Sequence, residues 1–136
     1  MKTLEEIKEY FSHDQYAMAT TGAEILEASE GYSKVRLVID ERHINGAGYV
    51  MGGVYFTLAD FASAVALNQE FDEKLYCALT GNIDYISSVQ GGVLYAEARI
   101  LKEGRKITFS EVNITDENGK LIARTNLSSY KVTEYK

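Results

Sequence analysis

A single carboxylate inside a long apolar run, Asp60, is the residue whose type and position first suggest chemistry. Its four nearest neighbours are all apolar: Leu58, Ala59, Phe61 and Ala62. A carboxylate in such surroundings costs several kcal/mol unless it is paired or functional. An aspartate that only solvates one helix face is the alternative, but a burial-perturbed carboxylate is typical of functional sites. We therefore expect Asp60 to be functional.

A pair of glycines, Gly52 and Gly53, precedes this run at the predicted start of a helix. Glycine lets a ligand approach the backbone closely. The free N–H groups of a first helical turn, with the positive end of the helix dipole, suit an oxyanion or a polarised carbonyl. A tight turn that needs glycine only for packing is the alternative at this position.

The spacing of these two features decides how they could act together. Gly52 and Asp60 are eight residues apart, which is about 12 Å along a helix. One chain therefore cannot bring both to the same reacting atom. If both act on one substrate, the aspartate comes from a second subunit whose helix lies alongside. The spacing predicts a homodimer with the site at its interface.

The element that positions both features is a helix from Gly52 to about residue 69, in which Asp60 is the only charge before Glu70. A helix that is apolar all round is either buried all round or lies in a membrane. Four polar residues interrupt the apolar run, and no basic flank follows it: Thr57, Asp60, Ser63 and Asn68. Both features argue against a membrane span. We therefore expect a central helix enclosed by protein.

The remaining segments predict a sheet around this helix. Residues 3–20 indicate one or two short helices, and residues 44–51 a glycine-rich loop. Alternating patterns and turn residues favour six strands, at 22–30, 32–40, 77–87, 93–102, 105–115 and 120–131. One apolar helix with about six antiparallel strands predicts a single α+β domain over residues 1–136, with the sheet curled around the helix.

The run from His43 to Asp60, HINGAGYVMGGVYFTLAD, resembles the signature of hotdog-fold thioesterases related to the phenylacetate-pathway (PaaI-like) enzymes. That signature has an asparagine, a short glycine-containing loop, His-Gly-Gly, an apolar stretch and Leu-Ala-Asp. The order of elements over nearly the whole chain is also similar. The resemblance implies a hotdog fold and hydrolysis of an acyl-coenzyme A thioester, with coenzyme A as part of the substrate and no further cofactor.

The resemblance also implies roles for individual residues. The Gly52 N–H would polarise the thioester carbonyl and hold the developing oxyanion. Asp60 of the partner subunit would act as general base or nucleophile. Asn45 would orient the substrate or the water. Family members often place a serine or threonine on the strand after the helix, for which Thr80 is the nearest candidate, although Ala78 is the alternative alignment.

Two residues depart from the family pattern. Met51 stands where the family usually has histidine, and methionine donates neither a proton nor a strong hydrogen bond. Gly46 stands where a proline is common, which predicts a looser loop. The methionine motivates a rival interpretation, a non-catalytic acyl-CoA binding or sensing module on the same fold. A hotdog dehydratase ranks lower, because such enzymes typically need a catalytic histidine near the helix.

Substrate contacts are expected beside the site and on one basic hairpin. Met51, Gly53 and Tyr55 adjoin the helix start, and Tyr49 and Tyr55 are candidates for an acyl pocket. Four basic residues cluster near residues 99–106: Arg99, Lys102, Arg105 and Lys106. We expect these to contact the phosphates of coenzyme A, the alternative being an ordinary solvated turn.

Composition narrows the remaining possibilities. The net charge is −6, which argues against nucleic acid as the main partner because phosphate binding needs a basic face. The single cysteine, Cys77, is expected to be a small buried hydrophobe. His43 is expected to be structural and His13 to lie at the surface, and neither has metal-ligand spacing. The first residues lack the apolar segment of a secretory signal, so we expect a cytoplasmic protein. The expected assembly, which follows from the spacing of Gly52 and Asp60, is a homodimer or a dimer of dimers.

Overall fold

Six antiparallel strands form one sheet in this computed structural model, which describes residues 1–134. The strand order is β1-β2-β4-β5-β6-β3. The strands are β1 (Glu24–Ser29), β2 (Tyr32–Val38), β3 (Lys74–Tyr85), β4 (Val93–Glu103), β5 (Ile107–Asp116) and β6 (Leu121–Glu134). The helices are α1 (Leu4–Phe11) and α2 (Gly52–Leu67), with a π-helical segment (Gln15–Thr21) and a 3-10 turn (Glu41–His43).

The α2 helix lies on one face of the sheet and contacts all six strands. The inner faces of the strands supply most of the core, because their buried residues alternate with polar ones. In β2, for example, Val35 and Leu37 are buried between the partly exposed Lys34 and Arg36. This α+β arrangement of a sheet around one central helix confirms the predicted hotdog architecture.

The N-terminal segment covers part of the helix on the side away from the sheet. Thr3 begins α1 with a capping box, in which its side chain and Glu6 satisfy each other's backbone N–H groups. Ile7 and Phe11, one turn apart, are the buried residues of α1. The Phe11 ring meets the Phe61 ring of α2 edge to face, with centroids 5.9 Å apart.

One stripe of α2 corrects the expectation that the helix is enclosed all round. Gly53 and Asp60 are exposed, and Thr57 and Ala64 are only partly buried. These four residues recur at helical spacing and therefore form one face. The sheet covers one side of α2 and the N-terminal segment another, so within residues 1–134 nothing covers this stripe. Asp60 consequently faces solvent in a single chain.

Two further expectations change at β3. The strand begins at Lys74 rather than residue 77, because its pairing with β6 already starts at Lys74 and Glu134. Asn68 also bonds both backbone polar groups of Tyr76, at 2.8 and 3.3 Å. Cys77 is exposed rather than buried, since β3 is an edge strand whose outer side has no neighbour within the described residues. Across residues 1–134, no helix combines the length and the apolar run that crossing a bilayer requires.

Candidate active site

The edge strand β3 runs alongside α2, and their contacts position the candidate site. Tyr85 adjoins Gly52 at the helix start. One turn further along the helix, the Phe56 ring packs on Gly81, where an added Cβ would lie only 2.7 Å from its Cζ. Asp60 then lines a small crevice together with Ala78. Because Gly81 has no side chain, α2 approaches the edge of the sheet closely, and Asp60 lies at that edge.

The start of α2 leaves backbone donors without a side-chain cap. Met51 occupies the N-cap position and makes no side-chain hydrogen bond to the helix, and its side chain is 59% exposed. The first two N–H groups of a helix, here those of Gly52 and Gly53, have no acceptor inside the helix itself. This uncapped turn suits an oxyanion in the way that the sequence predicts.

Asn45 organises the loop that leads into this turn. Its Oδ1 accepts hydrogen bonds from the backbone N–H groups of Ala47 (2.9 Å) and Tyr49 (3.1 Å). Its backbone N–H donates to the Tyr49 carbonyl at 2.7 Å. The side-chain oxygen is therefore committed to the loop. The amide nitrogen, which bonds no other group among residues 1–134, is the part of Asn45 that remains able to bind a ligand.

A cleft of about 350 Å³ opens beside the helix start. Its walls come from the π-helical segment, the 41–44 turn and the first turns of α2: Tyr16, Thr20, Thr21, Arg42, His43, Ile44, Met51, Gly53, Val54 and Thr57. We call this space the α2 cleft. Its volume falls within the range of small-molecule pockets.

The guanidinium and imidazole groups that line the α2 cleft already form hydrogen bonds within the protein. His43 Nδ1 accepts from the Asp40 N–H at 2.9 Å, so Nε2 carries the proton and donates to the Thr21 carbonyl at 2.7 Å. Arg42 donates to both carboxylate oxygens of Asp40 and to the Thr20 carbonyl. The Arg42 guanidinium also lowers the pKa of Asp40 to about 2. His43 is thus a structural residue in this chain, with neither nitrogen free to act as a base.

Asp60 has a perturbed carboxyl group even though part of it meets solvent. Partial burial against the helix and β3 raises its pKa, and the negative charge of Asp14 raises it further. Asp14 itself caps the π-helical segment by accepting from the Ala17 N–H at 3.2 Å. Among the described residues no cation pairs with Asp60, so nothing compensates this unfavourable environment. A raised pKa without a partner is the pattern expected of a functional carboxylate.

The predicted assistant hydroxyl, Thr80, is not part of the crevice at Asp60. Ala78 lines that crevice with Ser63 and Ser129, and an alanine supplies no hydroxyl. A bulge in the β3–β6 pairing between Ala78 and Thr80 separates the two residues. Thr80 is exposed on the outer part of β3, so within one chain it has no contact with this carboxylate crevice.

Two predicted substrate contacts lie away from the site. Tyr55 is only 2% exposed; it belongs to the core, where burial raises the pKa of its hydroxyl, because the helix turns it away from the open stripe. Arg99 lies over the Tyr32 ring at 4.7 Å and near Glu97 at 3.9 Å. The alternation of β4 puts it on the outer face of the sheet, so it does not belong to the hairpin cluster.

The other predicted contacts keep accessible positions. Gly53 and Met51 line the α2 cleft, and Tyr49 is exposed in the loop. Lys102, Arg105 and Lys106 are exposed at the β4–β5 hairpin. This hairpin lies near the start of β3, where Lys74 approaches Glu103 at 3.7 Å, and thus at the opposite end of α2 from Gly52.

Three residues at the site were not anticipated from the sequence. Tyr85 and Gly81 belong to β3, and Asp14 belongs to the segment before β1. The sequence carries one signal for Gly81, a glycine inside a strand pattern, which often marks a close backbone approach. Nothing local marks Tyr85 or Asp14, because their proximity to α2 depends on the tertiary fold.

Fold and site together define a hotdog domain whose central helix begins at two glycines and carries one aspartate. The sequence model of the thioesterase superfamily matches residues 47–123, and the chain belongs to this superfamily. It is a thioesterase with PaaI-like relatives, as the resemblance implied.

Individual relatives support this assignment. An Archaeoglobus fulgidus protein is 34% identical over 132 residues, covering 96% of this chain and 84% of its own length. The 1,4-dihydroxy-2-naphthoyl-CoA hydrolase of Listeria monocytogenes is 30% identical, with 76% of this chain and 85% of the relative covered. The solved structure of the E. coli PaaI protein has a TM-score of 0.82 at 23% identity, covering 97% of this chain and 98% of that one.

Proposed function

We propose that this chain hydrolyses an acyl-coenzyme A thioester to the free acid and coenzyme A, in a site shared by two subunits. One observation carries the proposal: the uncapped glycine turn and the unpaired Asp60 lie on the same helix, about 12 Å apart along its axis, and both are accessible. The names of the Listeria relative and of the E. coli acyl-coenzyme A thioesterase PaaI, which is 27% identical over 123 residues, support the choice of substrate.

The proposed reaction uses groups from both subunits. The Gly52 N–H donates to the thioester carbonyl oxygen and stabilises the negative charge that develops there. Asp60 of the partner subunit takes a proton from water, which attacks the carbonyl carbon, or attacks that carbon itself to form an anhydride that water then opens. In either route the carbon–sulfur bond breaks and the coenzyme A thiolate leaves and takes up a proton.

The open edge of the molecule supports the assignment of Asp60 to a neighbouring subunit. β3 presents an unpaired edge of twelve residues, and the exposed stripe of α2 lies beside it. Pairing of this edge with a second copy would cover both features and bring a second α2 alongside the first. The proposal is therefore a homodimer, with a dimer of dimers as the larger assembly.

The surroundings of the helix start support a binding mode for the acyl group. The α2 cleft offers the apolar surfaces of Ile44, Met51 and Val54, while its charged groups are engaged with the protein. We assign the acyl group to this cleft, and the Asn45 amide nitrogen to the substrate or to the attacking water. Thr80 stays a candidate only for a site completed by the partner subunit.

The basic hairpin supports a contact with the phosphates of coenzyme A. Lys102, Arg105 and Lys106 form no ion pair among residues 1–134, and all three are exposed. Their distance from Gly52 of the same chain means that they would serve the site at the neighbouring subunit's helix start. Ionic contact with phosphate reconciles an acidic protein with an anionic substrate.

A rival function is acyl-CoA binding without turnover, favoured by the exposed Met51 at a position that supplies no hydrogen bond. Hydrolysis of a panel of aryl- and short- to medium-chain acyl-CoAs separates the two. We expect turnover by the wild type and at least about a 100-fold loss of kcat in Asp60→Ala. Tight binding measured by calorimetry with no hydrolysis of any thioester would support the rival and reject the enzyme.

Mixed dimers test the shared site. Asn45→Asp keeps the loop acceptor but removes the amide donor, and Asp60→Ala removes the carboxylate. Random mixing of these two inactive variants yields dimers of which half are hybrids, each with one intact site, so about a quarter of wild-type activity should return. If hybrids form, as native mass spectrometry would verify, and no activity returns, the two groups do not act across subunits.

A further inference from the structure

The aromatic residue beside the helix start, Tyr85, has no role in the function proposed above. Its ring and hydroxyl lie against the backbone of Gly52: a Cβ added there would be 3.1 Å from Tyr85 Cζ and 3.2 Å from its hydroxyl oxygen. The side chain is nevertheless 55% exposed. Tyr85 therefore reaches the uncapped turn of α2 from the side of β3, outside the walls of the α2 cleft, and about half of it remains exposed.

The hydroxyl of Tyr85 is weakly engaged within the chain. It donates to the Gly52 carbonyl oxygen at 3.4 Å, which is well beyond the usual O–H···O distance of about 2.5–3.0 Å. A carbonyl or oxyanion of a bound thioester would be a better acceptor, because hydrogen bonds to a charged oxygen are shorter and stronger. The proton of this hydroxyl is thus available to a ligand.

The backbone at Tyr85 is held on both sides of the residue, and the ring contacts one other aromatic ring. Tyr85 pairs with Ala123 of β6 as the last residue of β3. Directly after it, the N–H groups of Ile86 and Ser87 both donate to the Ile122 carbonyl, at 2.9 and 3.0 Å. Its ring also lies 6.1 Å from the ring of the buried Tyr55. A donor held in this way is preorganised, as effective oxyanion donors are.

The distances allow Tyr85 and Gly52 to bind one oxygen atom. The position of a Cβ on Gly52 is roughly 2.5 Å from the Gly52 nitrogen by standard bond geometry. With the 3.2 Å contact, the hydroxyl oxygen is no more than about 5.7 Å from that nitrogen. Two donors that each bond one oxygen at about 2.9 Å are at most about 5.8 Å apart. The separation of the two donors is therefore within the range that one shared carbonyl oxygen requires.

We propose that Tyr85 is a second oxyanion donor, whose hydroxyl bonds the thioester carbonyl oxygen together with the Gly52 N–H. The inference rests on the proposed function and adds a catalytic residue to it. No proton leaves the phenol and no bond forms to it. Its hydrogen bond shortens as charge develops on the oxygen, so it favours the transition state over the bound thioester.

Tyr85→Phe is the discriminating variant, because it keeps the ring on Gly52 and removes only the hydroxyl. We expect kcat to fall by about 100-fold or more, with KM within about 3-fold of wild type, since the bond strengthens only in the transition state. Tyr95→Phe, which removes a hydroxyl from the outer face of β4, is the matched control and should leave both constants unchanged.

Two inhibitors separate a catalytic from a structural effect and do not depend on turnover. A trifluoromethyl ketone analogue of acyl-CoA mimics the oxyanion, whereas the corresponding thioether has no carbonyl oxygen. Tyr85→Phe should weaken binding of the ketone by the same factor as kcat and leave binding of the thioether unchanged. Equal loss for both inhibitors, or no loss for the ketone, would overturn the role of Tyr85. If no thioester is hydrolysed by the wild type, the proposed function fails and the inhibitor comparison still decides this inference.

Discussion

The two edges of the sheet differ in their length and in their charge. β1 is six residues long and carries two charged residues, Glu24 and Glu27. β3 is twelve residues long and, between Lys74 and Asp84, contains no charged residue. Short and charged edges resist pairing with another chain, whereas long uncharged ones favour it.

The proposed catalytic groups lie at the edge that is open to pairing. The Asp60 carboxylate, the exposed stripe of α2 and Tyr85 all lie along β3, and none of the proposed catalytic groups lies near β1. A chain whose site were complete by itself would gain nothing from leaving one edge open. The contrast between the edges thus favours a site that requires a second subunit.

A charge placed on the open edge of β3 should have the largest effect, because it should weaken the proposed dimer. Leu79→Lys introduces a charge on β3, where the leucine is 58% exposed. Loss of a leucine that the proposed dimer would bury removes about 1.5–3 kcal/mol, so the dimer dissociation constant should rise by at least about 10-fold and activity should fall with it. Analytical ultracentrifugation measures the first and thioester hydrolysis the second.

The matched control lies on the other side of the sheet. Val38 in β2 is 57% exposed, and Val38→Lys should change neither assembly nor activity. If both lysine variants dissociate equally, or if Leu79→Lys stays dimeric, β3 is not the interface.

The charge beside the carboxylate should change the pH dependence by a smaller amount. Asp14 raises the pKa of Asp60, and a general base acts only when ionised, so activity rises with pH through that pKa. Asp14→Asn keeps a capping side chain and removes the charge. The acidic limb of the kcat/KM profile should move to lower pH. Glu9→Gln, an equal charge change on the exposed face of α1, should leave the limb in place.

The smallest expected effect concerns stability at the two edges. The pKa of Asp60 is raised in the folded chain, so folding disfavours its charged form. This loss of stability is fully present above the folded pKa and disappears as the pH falls below the usual value of 3.8. Asp60→Asn should therefore raise Tm by about 1–3 °C at pH 7 and have little effect at pH 3.

The β1 edge supplies the opposite case. Glu24 pairs with Arg36 at 2.6 Å, and Glu24→Gln should lower Tm slightly or leave it unchanged at pH 7. A Tm for Asp60→Asn below that of wild type at pH 7 would mean that the carboxylate has a stabilising partner.

The sequence predicted the elements well, because their signals are local. Alternation marked β2, glycines marked the turns, and the apolar run from Gly52 marked α2. The same locality explains the errors. Periodicity indicates that Asp60 has apolar neighbours along the chain, but it does not reveal that one stripe of the helix has no cover in a single subunit.

Contacts between distant segments explain the rest. The sequence order of the strands differs from their order in the sheet, so nothing local placed β3 at an edge or exposed Cys77. Tyr55 was expected at the site because it is close to Gly52 in sequence, and the helix turns it into the core. Tyr85, which does adjoin Gly52, is thirty-three residues away in sequence.

The α2 helix holds two proposed catalytic groups at a constant separation. Its hydrogen bonds fix the separation of Gly52 and Asp60, and no loop movement or ligand shortens it within one chain. With the proposed shared site, catalytic competence would depend on protein concentration. Specific activity would fall on dilution below the dissociation constant of the dimer, and a single newly made subunit would not hydrolyse thioesters. The spacing of two residues on one helix would thus set the concentration at which hydrolysis begins.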